Sequence, residues 1–415
     1  MTIKNRAQNQ IRTVISVFEK VQVVFNQGQP VDNWLSSYFR ANKKLGSKDR
    51  KRIANSIFGY FRWYGWIGRH KEDNISRALL LGYTLDDNKP DQTIQFWAEQ
   101  HDLDISTLRK LSLEEKKTWI SNILRPVEFI DLNPDFVPEL PLDFLQKQQK
   151  RASLWIRLTN TTDKSILEEL DRKNISYSVH PEQKTCIEIN SPVNLHEFSQ
   201  FKKGLLEVQD IASQGVGYIC KPRPSEVWWD VCAGSGGKAL HLASLANNKG
   251  KVYATEVRKA RFHELTKRIN RSDFKKSIEA IYWDGKKIPT FSKHPTHAIV
   301  DAPCSCSGTW RRSPELRWSI TKDKIGEYSH LQLDILKRVA QVVPTGGKLV
   351  YVTCSIFEEE NEMVVNRFLE IHSGFSLQPI LCPFTKREYF QGIHFRTPEV
   401  DGNAMFAAVM IKQNN

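Results

Sequence analysis

No stretch of this 415-residue chain approaches the roughly 18 uninterrupted apolar residues that a membrane span requires. The first residues, MTIKNRAQNQIRTVISVFEK, also lack the apolar run of a secretory signal. A membrane protein is therefore excluded and a cytoplasmic one expected. Cysteine is scarce: there are 7, an odd number, without repeated CxxC pairs, in a chain too long to need covalent staples. They read as reduced thiols whose positions matter one by one. Acid is short relative to base, with 47 Asp+Glu against 60 Lys+Arg and a formal charge of +13, which favours a polyanionic partner such as nucleic acid. What is present, 40% hydrophobic residues and 11 Trp, excludes a largely disordered chain, and the length implies two or three domains.

The chain opens with helical periodicity. Ile11, Val14, Ile15, Phe18 and Val21 share a face in 6–25, Pro30 breaks the pattern, and VDNWLSSYFR follows. After Gly46 and Ser47, Ile53, Ile57, Tyr60 and Phe61 line one face of a further helix. Residues 1–130 read as an all-α domain, and the Pro-rich DLNPDFVPELP as a linker. From Ser153 the pattern becomes SLWIRLTN, a helix-like TDKSILEELDRKN, ISYSVH and TCIEIN, a small β-α-β-β module within 131–225. From 226 to 415 strands alternate with helices: EVWWDV, KVYATEV, EAIYWD, THAIVDAP and GKLVYVTC are the apolar runs. That rhythm predicts an α/β, doubly wound parallel sheet whose ligands bind at the carboxyl ends of its strands.

The unusual residues gather at those ends. In DVCAGSGGKA the glycines at 234, 236 and 237 follow a strand and open a helix, so the backbone can approach a ligand closely. Lys238 is followed by Ala239, which excludes a Walker A loop. Glu256, about twenty residues on, can accept ribose hydroxyls, and the pairing points to an adenosine cofactor without a pyrophosphate. S-adenosylmethionine fits. Asp284 could bond an adenine amino group or simply cap the turn before Gly285.

Cys304 and Cys354 end two different strands, with Asp301 three residues before the first. Cys186, Cys220 and Cys382 read instead as small core residues. Cys304-x-Cys306 is not a zinc knuckle, and no HExxH or second Cys/His pair follows, so no metal is expected. A methyltransferase needs a thiol when the acceptor is a pyrimidine C5, a poor nucleophile until something adds at C6. A thiolate at C6 and an acid at N3 load electron density onto C5, which takes the methyl group before a base removes its proton and the thiol leaves.

At these residues the chain resembles the RsmB/Nop/Sun family of RNA cytosine-C5 methyltransferases, in its bacterial ribosomal-RNA branch. The stretches are GLLEVQDIASQ (204–214), DVCAGSGGK (230–238), DAPCSCSGTWRRSPE (301–315), TCSIFEEENE (353–362) and DGNAMFAAVMIK (401–412). The resemblance implies a Rossmann-like methyltransferase domain, with Cys354 as nucleophile, Cys304 aiding product release and Asp301 bonding the cytosine near the cofactor. It implies that Cys232, Ala233, Gly234, Ser235, Gly236, Gly237, Lys238, Glu256, Asp284 and Asp301 hold S-adenosylmethionine. One departure is Cys306, where members usually carry Gly in a PCSG run.

The stretch KKLGSKDRKRIANSIFGYFRW resembles the helical NusB-like domain of bacterial members. Together with Lys43, Lys44, Lys48, Arg50, Lys51 and Arg52 it suggests an RNA-docking module, to which Arg311 and Arg312 could add. The expected partner is ribosomal RNA, with transfer RNA as the alternative, bound by a monomer. A non-catalytic RNA-binding assembly factor is the rival from another class, and retention of Asp301, Cys304 and Cys354 speaks against it.

Overall fold

The computed structural model describes residues 3–68, 74–106, 111–124, 140, 142–159, 165–191, 193–396 and 399–414. The chain divides into two compact units, Met1–Arg151 with Thr309–Lys322, and Ala152–Gly308 with Asp323–Asn415.

The first unit is helical where described, as the 3.6-residue periodicity predicts. The helix Ile3–Asn26 buries Ile11, Val14, Phe18 and Val21, and Ser47–Arg62 buries Ile53, Ile57, Tyr60 and Phe61. Ile75–Leu85 adds Leu79 and Leu80 to the same core. Nearly all of the proposed linker, 131–141, lies outside the described residues. Thr309–Lys322 comes from far along the sequence to complete this unit. The Trp318 indole N–H donates to the Phe61 carbonyl at 2.6 Å, and Arg311 donates to the Lys150 and Arg151 carbonyls at 3.2 and 2.9 Å.

The second unit holds two main sheets. β1 (Leu154–Leu158), β2 (Tyr177–Val179), β3 (Cys186–Ile189) and β4 (Leu206–Val208) form an antiparallel sheet in the order β2-β3-β1-β4. Its first three strands and the helix Ser165–Arg172 are the β-α-β-β pattern of the sequence, and β4 is an addition.

The larger sheet is built on β5 (Val227–Asp230), β6 (Lys251–Glu256), β7 (Ile278–Tyr282), β8 (His297–Asp301) and β9 (Lys348–Thr353), all parallel. β10 (Phe375–Gln378), the hairpin β11 (Ile380–Leu381) and β12 (Glu388–Tyr389), β13 (Ile393–Phe395) and β14 (Met405–Lys412) follow. The order β10-β14-β9-β8-β5-β6-β7 puts the chain's reversal between β5 and β8, with β14 antiparallel to β9. β5 buries every residue, Val227, Trp228, Trp229 and Asp230, because helices cover both faces of a doubly wound sheet. The crevice over the carboxyl ends of β5 and β8 is thus where such a fold binds its ligand.

Candidate active site

Past β5 the backbone turns sharply through Gly234 (φ 56°) and Gly236 (φ 90°) into the helix Gly237–Leu245. A Cβ on Gly236 would also fall 2.6 Å from Leu265 Cδ1, so glycine is required there twice over. The Ala233 N–H donates to the Thr255 carbonyl, tying the loop to β6. Arg268 donates to Ser235 O and Oγ at 3.1 and 3.0 Å, and is itself held by buried Glu207 of β4 at 2.7 Å. The GLLEVQD stretch therefore reaches the glycine loop through one arginine. Asp210 of that stretch accepts the Asn403 N–H of DGNAM, and the Ala404 N–H donates to Gly308 O after the first cysteine motif.

Glu256 ends β6. Arg258 donates from its backbone N–H and Nε to Oε1 at 2.8 and 2.9 Å, and from Nη2 to Oε2 at 3.1 Å. Burial works against the charge, but these hydrogen bonds hold the carboxyl below its usual range, so it is an ionised acceptor at neutral pH. Asp284 is exposed and its Oδ1 accepts the Lys286 and Lys287 N–H groups at 2.8 and 3.2 Å, the geometry of a turn aspartate. Asp230 is fully buried beside Lys238, and desolvation pushes its carboxyl up to about 7.

Lys238 is buried on the helix after the loop, and its Nζ donates to Asp301 Oδ2 at 2.6 Å. Desolvation disfavours its charge, yet the Asp301 carboxylate holds it above the ordinary lysine value. Asp301 ends β8, and the adjacent strand β9 ends at Thr353, one residue before Cys354. The loops after these strands bring Cys304 Sγ to 3.1 Å from Cys354 Sγ. Gly308 makes that approach feasible: its N–H donates to Cys354 O at 2.8 Å, and a Cβ there would stand 2.0 Å from Ala404 O. Cys306 joins the pair, with all three sulfurs within 4.8 Å of one another. Cys186, Cys220 and Cys382 lie in the apolar core, and burial pushes the Cys186 and Cys220 thiols up to about 12.

Glu360 is a residue the sequence did not single out. It is fully buried, and Oε1 accepts the Ser305 N–H at 2.9 Å and Gln332 Nε2 at 3.0 Å, while Oε2 accepts Ser355 Oγ at 2.5 Å. One carboxyl thus joins the loop of Cys304 to the loop of Cys354. Thr353 Oγ1 donates to Asn361 Oδ1, and Asn361 Nδ2 donates to Ser355 O, closing the second loop on itself.

Two of the arginines expected to dock RNA are otherwise engaged, which corrects that expectation. Arg52 is buried between Asp49 and Asp91 at 2.9 and 2.6 Å, and Arg311 is buried against the Lys150 and Arg151 carbonyls. A guanidinium already satisfied and shielded has little to offer a phosphate. Lys48 and Arg312 are exposed, Arg50 is half-buried with Nε on Leu45 O, and Lys43, Lys44 and Lys51 are exposed beside them.

Residues 217–411 match the family model described as 16S rRNA methyltransferase RsmB/F. Over those residues, a little under half of its length, the chain carries an RsmB/F methyltransferase domain. A probable ribosomal RNA small subunit methyltransferase B from Synechocystis is 36% identical over 43% of this chain and 40% of that protein's length. The protein of that name from Coxiella burnetii is 29% identical over 83% of this chain and 87% of its own. The Enterobacter ribosomal RNA small subunit methyltransferase B is 28% identical over 98% and 100%. The crystal structure of PH0851 covers 97% of the chain with a TM-score of 0.73 at 23% identity, and that of NSun6 from Pyrococcus horikoshii with SFG covers 65% with a TM-score of 0.57 at 17%. These likenesses bear out the Rossmann-like methyltransferase fold and the helical region before it.

With this domain the chain is an RNA methyltransferase, and its cofactor is S-adenosylmethionine. The residues fit that group: an open glycine turn, an ionised Glu256 at the end of the neighbouring strand and the Lys238–Asp301 pair line the ends of β5, β6 and β8. Among the described residues no helix is long and apolar enough to cross a membrane.

Proposed function

We propose that this protein forms 5-methylcytosine in small-subunit ribosomal RNA, acting in the cytoplasm as a monomer, through a covalent adduct between Cys354 and C6 of the base. The observation that carries the reading is the 3.1 Å approach of Cys304 Sγ to Cys354 Sγ, beside the Lys238–Asp301 pair at the ends of β8 and β9. A thiol pair facing a carboxylate supplies what C5 methylation needs: a nucleophile for C6, a polar partner for the N3 edge and a second thiol facing the sulfur that must leave.

S-adenosylmethionine supplies the methyl group when bound. Cys232, Ala233, Gly234, Ser235, Gly236 and Gly237 would cradle it, Glu256 would accept its ribose hydroxyls and Asp284 would meet the adenine. Asp301, fixed by Lys238, would orient the cytosine. After methyl transfer the C5 proton passes to a base and on to water, the Cys354–C6 bond breaks, and Cys304 assists the departing sulfur.

Bisulfite sequencing of total RNA from cells with and without the gene tests the reading. The expected result is one small-subunit ribosomal cytosine that loses protection. Loss confined to transfer RNA would move the substrate, and no loss anywhere would favour a binding role. On the cofactor side, Glu256→Ala should weaken S-adenosylmethionine binding by about 1–3 kcal/mol, the scale of removing a charged acceptor. Unchanged affinity by calorimetry would remove Glu256 from the site.

The three-part organisation at 1–130, 131–225 and 226–415 remains our reading of the roles. The helical part docks RNA, the small sheet supports β4 and Glu207, and the last part performs the chemistry. Lys43, Lys44, Lys48 and Lys51 are the exposed cations of the docking cluster. Neutralising all four should reduce the slope of log affinity against log salt by roughly 0.7–0.9 for each phosphate that the cluster no longer neutralises. Parallel salt series for the wild type and the variant would place docking elsewhere.

A further inference from the structure

Cys306 occupies a backbone position that suits Gly: its φ is 56°, in the left-handed region. A side chain there strains the backbone, which Gly would avoid. The thiol is present nonetheless, and the strained turn aims it into the active site. Its sulfur lies within 4.8 Å of those of both Cys304 and Cys354.

We propose that Cys306 is a third working thiol, which accepts the proton of Cys354 as Cys354 adds to C6 and returns it when the adduct breaks; this rests on the covalent reading above. In the forward step the S–H bond of Cys354 breaks. Its proton goes to the Cys306 sulfur, its electron pair forms the Sγ–C6 bond, and the C5–C6 π pair moves to C5, which takes the methyl group. On release the C5–H pair re-forms the double bond as that proton leaves to water. The C6–S pair returns to Cys354, which takes its proton back from Cys306.

The surroundings suit this role. The Cys304 and Cys354 thiols hydrogen-bond to the Cys306 sulfur and, with Arg258, hold it well below the ordinary thiol range against its burial. Cys304 is pushed up by its hydrogen bonds to Cys306 and Cys354 and by burial. For Cys354 the hydrogen bond with Cys304 favours the thiolate, but the bond to Cys306, burial, and the charges of Cys306 and Asp301 outweigh it and push the thiol up. Tyr328, from the helix Lys322–Ala340, and Glu360 also face the cluster, and burial raises both above their usual ranges. Of the three thiols Cys306 is thus the readiest to carry negative charge and Cys354 is biased towards keeping its proton, and the transfer between them starts the reaction.

Single-turnover methylation of transcribed small-subunit ribosomal RNA, followed with labelled S-adenosylmethionine across pH, decides the matter. Wild type should be nearly level from about pH 7 to about pH 9. Cys306→Gly relieves the backbone strain, so it should melt no lower than wild type. Its rate at about pH 7 should fall at least roughly tenfold, because Cys354, still held up by burial and Asp301, must ionise alone, and should climb about tenfold per pH unit. Cys306→Ser keeps a hydrogen-bonding group but cannot hold the negative charge, and should behave like Cys306→Gly. Full rescue by serine, or a Cys306→Gly profile identical to wild type, would overturn the proposal and leave the covalent reading standing. A wild-type protein that makes no 5-methylcytosine, or an active Cys354→Ala variant, would overturn the covalent reading itself.

Discussion

Cys354→Ala should abolish methyl transfer and the covalent RNA complex together, whereas Cys304→Ala should leave an adduct that survives a denaturing gel. The asymmetry follows from position. Cys354 leaves β9 next to Asp301 of β8, and Cys304 faces its sulfur at 3.1 Å from the loop after β8. Without Cys354 no sulfur is placed to add at C6, and the rate should drop by roughly four or more orders of magnitude, the scale of losing a nucleophile. Without Cys304, addition still proceeds but the departing sulfur loses its partner, so the adduct accumulates. An adduct in Cys354→Ala and none in Cys304→Ala would exchange the two roles.

Glu360→Ala should damage stability and activity at once. The carboxyl satisfies Ser305 N–H, Gln332 Nε2 and Ser355 Oγ in a fully buried place, and removing it leaves three donors without their acceptor. Each orphaned buried donor costs about 1–3 kcal/mol, so a total loss of about 3–9 kcal/mol is expected, seen as a melting temperature lowered by roughly 10 °C or more. Because the loops of Cys304 and Cys354 meet at this carboxyl, the methylation rate should fall even well below the new melting point. Glu360→Gln should be far milder. Its carbonyl can still accept from Ser305 and Gln332, and its amide can donate to Ser355 Oγ, whose proton can turn to Ser307 Oγ at 3.2 Å. Equal losses in the two variants would mean that volume, not hydrogen bonding, matters at this position.

Much of the catalytic sheet was legible because its five parallel strands are short apolar runs, each ending in a residue of unusual chemistry: Asp230, Glu256, Asp284 just past β7, Asp301 and Cys354. Strand alternation fixes where those ends gather, so their proximity could be argued from the pattern alone. Glu360 escaped notice because, in FEEENE, one buried carboxylate looks the same as its exposed neighbour Glu358. The antiparallel strands β10 to β14 gave no comparable rhythm, and β14 was noticed as a motif without being recognised as a strand. Arg52 was misjudged for a related reason. A run of basic residues is visible in sequence, whereas Asp91, 39 positions away, is not visible as its partner.

Thr309–Lys322 belongs to the helical unit although more than 150 residues separate it from Arg151. During synthesis the helices emerge first, but Trp318 reaches the Phe61 carbonyl only after the glycine loop, β5 to β8 and the first cysteine motif have been made. The helical unit must therefore wait, incomplete, for most of the chain, and its final closure joins residues of very long sequence separation, the kind of step that slows folding and leaves apolar surface open to wrong partners. A fragment ending at Arg151 should accordingly aggregate more readily than the whole protein, and supplying the segment 309–322 as a peptide should relieve it.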